Sequence, residues 1–162
     1  MVLCGILGSN LKKKITGKIA VLREIASFLN FAQFQITMQA NDLYMCIRNH
    51  IGRVKLLTPL FTHLLYEHRQ QKTASLYSSA KAFFKQKNTL TEILEEDVRC
   101  MLLELFQKLE EADCELAKNA LKCAETFVQS KLDDCMQHEM KKGSLLSKIT
   151  ILIGFLIVIV LI

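Results

Sequence analysis

The chain has 162 residues, 51% of them hydrophobic and 23% charged, with a formal charge of +5. That length leaves room for one domain with one modest core. A single proline, six glycines and the absence of a convincing alternating apolar–polar segment argue against a β-rich fold and for an all-helical one.

The charge is uneven along the chain. Residues 1–88 hold 13 Lys or Arg against 3 Asp or Glu, residues 89–140 hold 5 against 13, and residues 141–162 add three lysines. Two solvated faces that attract each other across the fold are the simplest expectation. No basic region leads the short apolar start "MVLCGILG", so no export signal is expected. The six cysteines, at 4, 46, 100, 114, 123 and 135, are therefore expected as free thiols packed as small hydrophobes.

The first predicted element is an amphipathic helix over residues 11–30. Ile15, Ile19, Leu22, Ile25, Ala26 and Leu29 fall at helical spacing, and Gly17 weakens the first turns. Residues 42–50 and 53–66 are also helical in pattern, broken near Gly52. Thr58-Pro59 reads either as a cap with the first helical position or as a kink within one helix. Residues 73–86 form a further helix. Thr89 and Glu92 have capping-box spacing and open a helix to about Glu111. Asp113 then caps a last helix over about 114–131.

The chain ends in "SLLSKITILIGFLIVIVLI", residues 144–162. As a helix, 19 residues reach about 28 Å, close to the hydrocarbon thickness of a bilayer. The expected anchor residues are Leu145, Leu146, Lys148, Ile149, Ile151, Phe155, Val158 and Ile162, with Lys148 snorkelling to the headgroups. Lys141 and Lys142 precede them and place the expected helical domain in the cytosol. No basic residue lies among residues 149–162, which favours the endoplasmic reticulum over the outer mitochondrial membrane.

A self-match runs through the middle. "PLFTHLL" (59–65) resembles "ELFQKLE" (104–110), and "TASLYSSAKAFFKQ" (73–86) resembles "AKNALKCAETFVQS" (117–130). The offsets, 45 and 44 residues, fit helical repeats that stack to bury their apolar faces. The segment 56–85, with Pro59, Leu60 and Phe61, then Ala74, Ala80, Ala82 and Phe83, resembles the helical pair of maestro-type HEAT-like proteins. Residues 99–127 repeat the style. The resemblance implies a helical scaffold without catalysis.

Enzyme constellations are absent: the sequence has no phosphate loop, no dinucleotide fingerprint, no paired-histidine zinc motif and no nucleophile elbow. His50, His63, His68 and His138 are expected as surface or half-buried side chains. The Cys135–His138 spacing lacks the second tight pair that a structural zinc needs. The lysines at 12–14 and 18 read as a solvated helix end, since no aromatic residue is interleaved for nucleic acid.

The resulting expectation is an all-α fold: antiparallel helix pairs stacked as a short HEAT-like array, plus a C-terminal transmembrane helix. Residues 1–140 form the helical domain, and residues 141–162 the basic flank and anchor. The expected function is a non-enzymatic, membrane-tethered scaffold that binds a protein partner on its cytosolic face. Its other contact is a lipid bilayer through residues 144–162. No catalytic residue, metal, cofactor, nucleic acid or small-molecule substrate is expected, and the partner surface is unassigned. The alternative is a Bcl-2-like, tail-anchored apoptosis regulator, which "NHIGRVKLL" (49–57) faintly resembles. A third reading is a SNARE-like fusion protein, from the heptad-like spacing of Val98, Met101, Leu105, Leu109, Ala112 and Leu116.

Overall fold

The structure is a computed structural model that describes residues 2–39, 42–70, 75–111 and 115–137, the side chains of 2–15 and 37–39 excepted. These residues form α1 (Val2–Gln39), α2 (Leu43–His50), a 3-10 turn (Ile51–Arg53), α3 (Thr58–Gln70) and α4 (Leu76–Lys85). α5 (Thr89–Ile93), α6 (Glu96–Glu111) and α7 (115–137) follow. The described residues contain no strand; the protein is all-α.

α1 buries Ile19, Leu22, Ile25, Phe28, Leu29 and Ala32, spaced three or four apart as one helical face requires. Val21 is buried beside them, which widens the stripe. Neighbours therefore cover α1 on more than one side, and both α2 and α5 pack on it. The helix continues beyond residue 30, where the sequence pattern weakens, because no glycine or proline interrupts residues 18–39. Asp42 opens α2, its side chain accepting the Met45 N–H at 2.7 Å.

The break expected near Gly52 is the 3-10 turn. The irregular residues that follow it lean on α1. The Glu24 carboxylate accepts the backbone N–H groups of Lys55, Leu56 and Leu57 at 3.0, 2.8 and 3.0 Å. Thr58-Pro59 opens α3 and is not a kink; the proline occupies the first turn, where its missing N–H costs nothing. α4 is capped twice. Ser75 accepts the Ser78 N–H at 3.0 Å, and Glu110 of α6 accepts the Leu76 N–H.

The helix expected to run unbroken from Thr89 to Glu111 is two helices. The capping box is formed by Asn88 and Thr91, not by Thr89 and Glu92. Thr91 N–H donates to Asn88 Oδ1, and Asn88 N–H to Thr91 Oγ1, both at 2.9 Å. Leu94 and Glu95 then separate α5 from α6. α7 extends to residue 137, beyond the expected end near 131, while Asp113, its expected cap, lies outside the described residues.

Successive helices pack on one another, α1 on α2, α2 on α3 and α3 on α4, and α5 returns to α1. Several positions matched between the two hairpins are buried in both, Leu60 and Phe61 like Leu105 and Phe106, and Ala80 like Ala124, whereas Phe84, Leu109 and Phe127 are half-buried. They join one cluster with the buried face of α1 and with Leu43 and Ile47 of α2. α4 packs on both α3 and α6. The likeness between the hairpins reflects what any helix pair needs in order to pack: large apolar residues on one helix and small ones on its neighbour.

No described helix is long and apolar enough to cross a membrane. The expected transmembrane helix and the 140/141 domain boundary lie outside the described residues.

Candidate partner-binding groove

Between Leu116 and Val128, α7 carries apolar residues in adjacent pairs: Leu116–Ala117, Ala120–Leu121, Cys123–Ala124 and Phe127–Val128. The second member of each pair is buried in the core. The first members, spaced four, three and four residues apart, form a second stripe beside it. Cys123 and Leu116 are exposed, Leu116 at 61%, while Ala120 and Phe127 are half-buried. α6 turns Val98, Leu102 and Phe106 into the core and its Met101 and Glu104 edge toward that stripe. Between the two helices lies a groove of about 770 Å³. Its deepest residues are Leu105 and Ala124, and Cys100 and Cys123 line it from opposite helices.

The two walls differ in charge. α7 contributes no ionisable group to the groove except the Cys123 thiol, whereas α6 contributes Asp97, Glu104, Lys108 and Glu111. At one end an ion cluster ties three elements together. Lys131 of α7 pairs with Asp97 and reaches Glu95 at 3.7 Å; Lys18 of α1 reaches the other Glu95 oxygen at 2.5 Å. The hydrogen bond to Asp97 raises the Lys131 pKa, and the same bond lowers that of Asp97. For Lys18, burial is the largest single influence and pulls downward, but the hydrogen bond to Glu95 together with the charges of Glu95 and Cys135 outweighs it, and the net shift is upward. The expected attraction between the basic front and acidic rear of the sequence thus takes form in Lys18–Glu95. The other pair across that divide, Lys87–Glu92 at 3.8 Å, is a local, exposed contact.

The histidines are not gathered into a site. His50, expected at or near the surface, is 1% exposed and sits between Phe28 and Phe31, its centroid 5.7 and 4.8 Å from theirs. Neither of its ring nitrogens has a hydrogen-bond partner among the described residues. Burial, followed by the Arg53 charge, lowers its pKa. His63 packs on Phe83, and His68 stacks on Tyr44; both are half-buried. His138 lies outside the described residues. Cys46 and Cys135 are free and buried, as expected of thiols used as small hydrophobes, whereas Cys100 and Cys123 are free and exposed. Burial, with the nearby Asp42, pushes the Cys46 thiol up to about 11. No group of three or more His, Cys, Asp or Glu among the described residues is placed to hold a metal ion.

A family model for stage III sporulation protein AB matches residues 1–162. The chain belongs to the stage III sporulation protein AB family. No curated protein and no solved structure matches it.

Membership in the stage III sporulation protein AB family, together with the core packing, overturns five expectations. The maestro-type HEAT-like resemblance is withdrawn: a different family covers the whole chain, and the shared core explains the hairpin likeness. A membrane-tethered HEAT-like scaffold and a Bcl-2-like regulator are withdrawn with it, since this is a sporulation family of bacteria. So is a SNARE-like fusion protein, because Val98 and Leu105 pack in the domain's own core and the helix breaks at Leu94–Glu95. The assignment to a single-pass protein of the endoplasmic reticulum or outer mitochondrial membrane falls as well, for sporulating bacteria possess neither organelle. The expected anchor residues, Leu145 to Ile162, lie outside the described residues.

The groove residues went unassigned in the sequence, although a signal for them was present. Ala117, Ala120, Leu121, Ala124, Phe127 and Val128 complete one core-facing stripe on α7, and exposed Leu116 and Cys123 are apolar groups that this stripe does not need.

Proposed function

We propose that this chain serves stage III of sporulation by holding a helix of a partner protein in the α6–α7 groove, through binding and without catalysis. The observation that carries the reading is the outer edge of α7's apolar face: Leu116 and Cys123 are exposed in the groove, and Ala120 and Phe127 line it while also packing against the core. Contiguous exposed apolar surface bordered by charge is characteristic of protein contacts, and a groove between two helices suits an amphipathic helix. A charge placed in the groove supplies the test. Leu116→Asp, at a residue 61% exposed, leaves the core intact, so the helical circular-dichroism spectrum and melting temperature should match wild type. Spore yield of a strain carrying only this variant should fall at least about tenfold, because the introduced carboxylate would have to be buried without a partner when a helix covers this end of the groove. Wild-type spore yield at wild-type protein level would sink the reading.

For residues 144–162 we propose lipid contact, supported by their composition alone: between Ile149 and Ile162 only Thr150 and Gly154 dilute Ile, Leu, Val and Phe. Alkaline carbonate extraction of the full chain from its host should leave it with the lipid pellet. Release into the supernatant, with no co-flotation of the full chain with lipid vesicles at neutral pH, would exclude lipid contact.

A further inference from the structure

The two walls of the groove specify more than an apolar occupant. On α6, Asp97, Glu104 and Glu111 are seven residues apart and all line the groove. Seven residues make nearly two helical turns, so the three carboxylates form a ladder along one edge, about 21 Å from end to end. On α7, Leu116, Ala120, Cys123 and Phe127 repeat at four, three and four residues, the spacing of a coiled-coil seam. One wall is thus an apolar seam and the other an acidic rail. In paired helices such rails, flanking the seam, select the partner by its charge.

The rail is unequally satisfied. Asp97 is answered internally by Lys131. Glu104 and Glu111 make no ion pair with another described residue, and Lys108 alone stands between them on that wall. An acidic or neutral helix laid in the groove would bring these carboxylates against apolar surface without compensation. A helix with cations at matching positions would neutralise them as it covers them.

Resting on the proposed function, we infer that the occupant of the α6–α7 groove is an amphipathic helix of about four turns from a different protein. It bears apolar residues at heptad spacing along the α7 seam and lysine or arginine, seven residues apart, facing Glu104 and Glu111. The small side chains of Ala120 and Ala124 let it approach closely.

Cys100 and Cys123, free, exposed and in the groove, report its occupancy without any added label; buried Cys46 and Cys135 serve as the internal reference. The probe is a synthetic 18-residue helical peptide with leucine at the two seam positions of each heptad and lysine at the flanking ones. Its twin carries glutamate in place of lysine. Alkylation of each thiol of the full-length chain by iodoacetamide is followed by peptide mass spectrometry. The lysine peptide should slow alkylation of both Cys100 and Cys123 at low salt, and the glutamate twin should not. Glu104→Gln with Glu111→Gln should weaken protection by the lysine peptide about tenfold, as expected for loss of two partly exposed ion pairs. Equal protection by both peptides would overturn the charge inference and leave groove binding standing. Protection by neither would overturn the helical occupant. Thiols already protected without peptide, and exposed on dilution, would show that the occupant is a second copy of this chain and overturn the inference. The spore yield of Leu116→Asp, measured separately, decides the proposed function in each case.

Discussion

At the scale of single residues, His50 shows how burial alone sets a protonation state. The ring is enclosed by Phe28 and Phe31, and neither nitrogen finds a partner among the described residues. The charged groups that act on it are Arg53, which lowers its pKa, and Glu24, which raises it; burial outweighs both, and the folded value lies below the ordinary 6.5. The unfolded chain therefore takes up the proton first as pH falls. Stability is flat above about pH 7 and declines as pH drops through the ordinary histidine value toward the folded one. Urea midpoints between pH 8 and pH 5 should show this decline in the wild-type chain, and it should shrink in His50→Leu. An identical decline in both would assign it to other groups. Glu24 is served differently: its carboxylate, half-buried on α1, receives three backbone N–H groups, which replace the water it loses.

At the scale of elements, legibility in the sequence followed period and punctuation. α1, α3 and α4 are legible because apolar residues recur at helical spacing, and Thr58-Pro59 marks the start of α3. The α5–α6 break was not readable: Leu94 and Glu95 are ordinary helix formers. What ends α5 is a tertiary choice. Leu94 is buried in the core, and Glu95 is held by Lys18 and Lys131, residues 77 and 36 positions away. Capping was read one residue out of register because Thr89-x-x-Glu92 and Asn88-x-x-Thr91 overlap, and asparagine is the stronger N-cap. The groove was half-legible. Paired apolar residues on α7 show that the helix has a wide apolar face, but only the packing shows which part of it the core takes. The heptad-like spacing through α6 was a true pattern with another cause: Val98 and Leu105 face the core of their own domain.

At the scale of the molecule, the ion cluster decides whether the groove has a fixed width. α7 is one wall, and its Lys131 ties it to Asp97 at the start of α6 and to Glu95, which Lys18 of α1 also holds. Asp97 also lines the groove, so the tie sits at the groove's end. These side chains are partly exposed, 26% for Lys131 and 44–46% for the two acids, so screening limits what the pairs contribute to stability. Lys131→Met should cost only about 0.5–1 kcal/mol in urea unfolding at low salt, and less in 1 M salt. Because Glu95 is shared, Lys18→Met and Lys131→Met should be non-additive: once one lysine is gone, Glu95 turns wholly to the other, and removing that one costs more. Strict additivity would mean that the two pairs act separately. The larger consequence concerns binding. Without Lys131, the α7 wall loses its tie at the Asp97 end, and Asp97 joins Glu104 and Glu111 as an uncompensated acid on the rail. The lysine peptide should then bind Lys131→Met at least as tightly as wild type at low salt, with a steeper loss as salt rises, because one more carboxylate now draws on the peptide's charge. Weaker binding at every salt concentration would show that the cluster's main effect is to hold the wall in place and not to satisfy the rail.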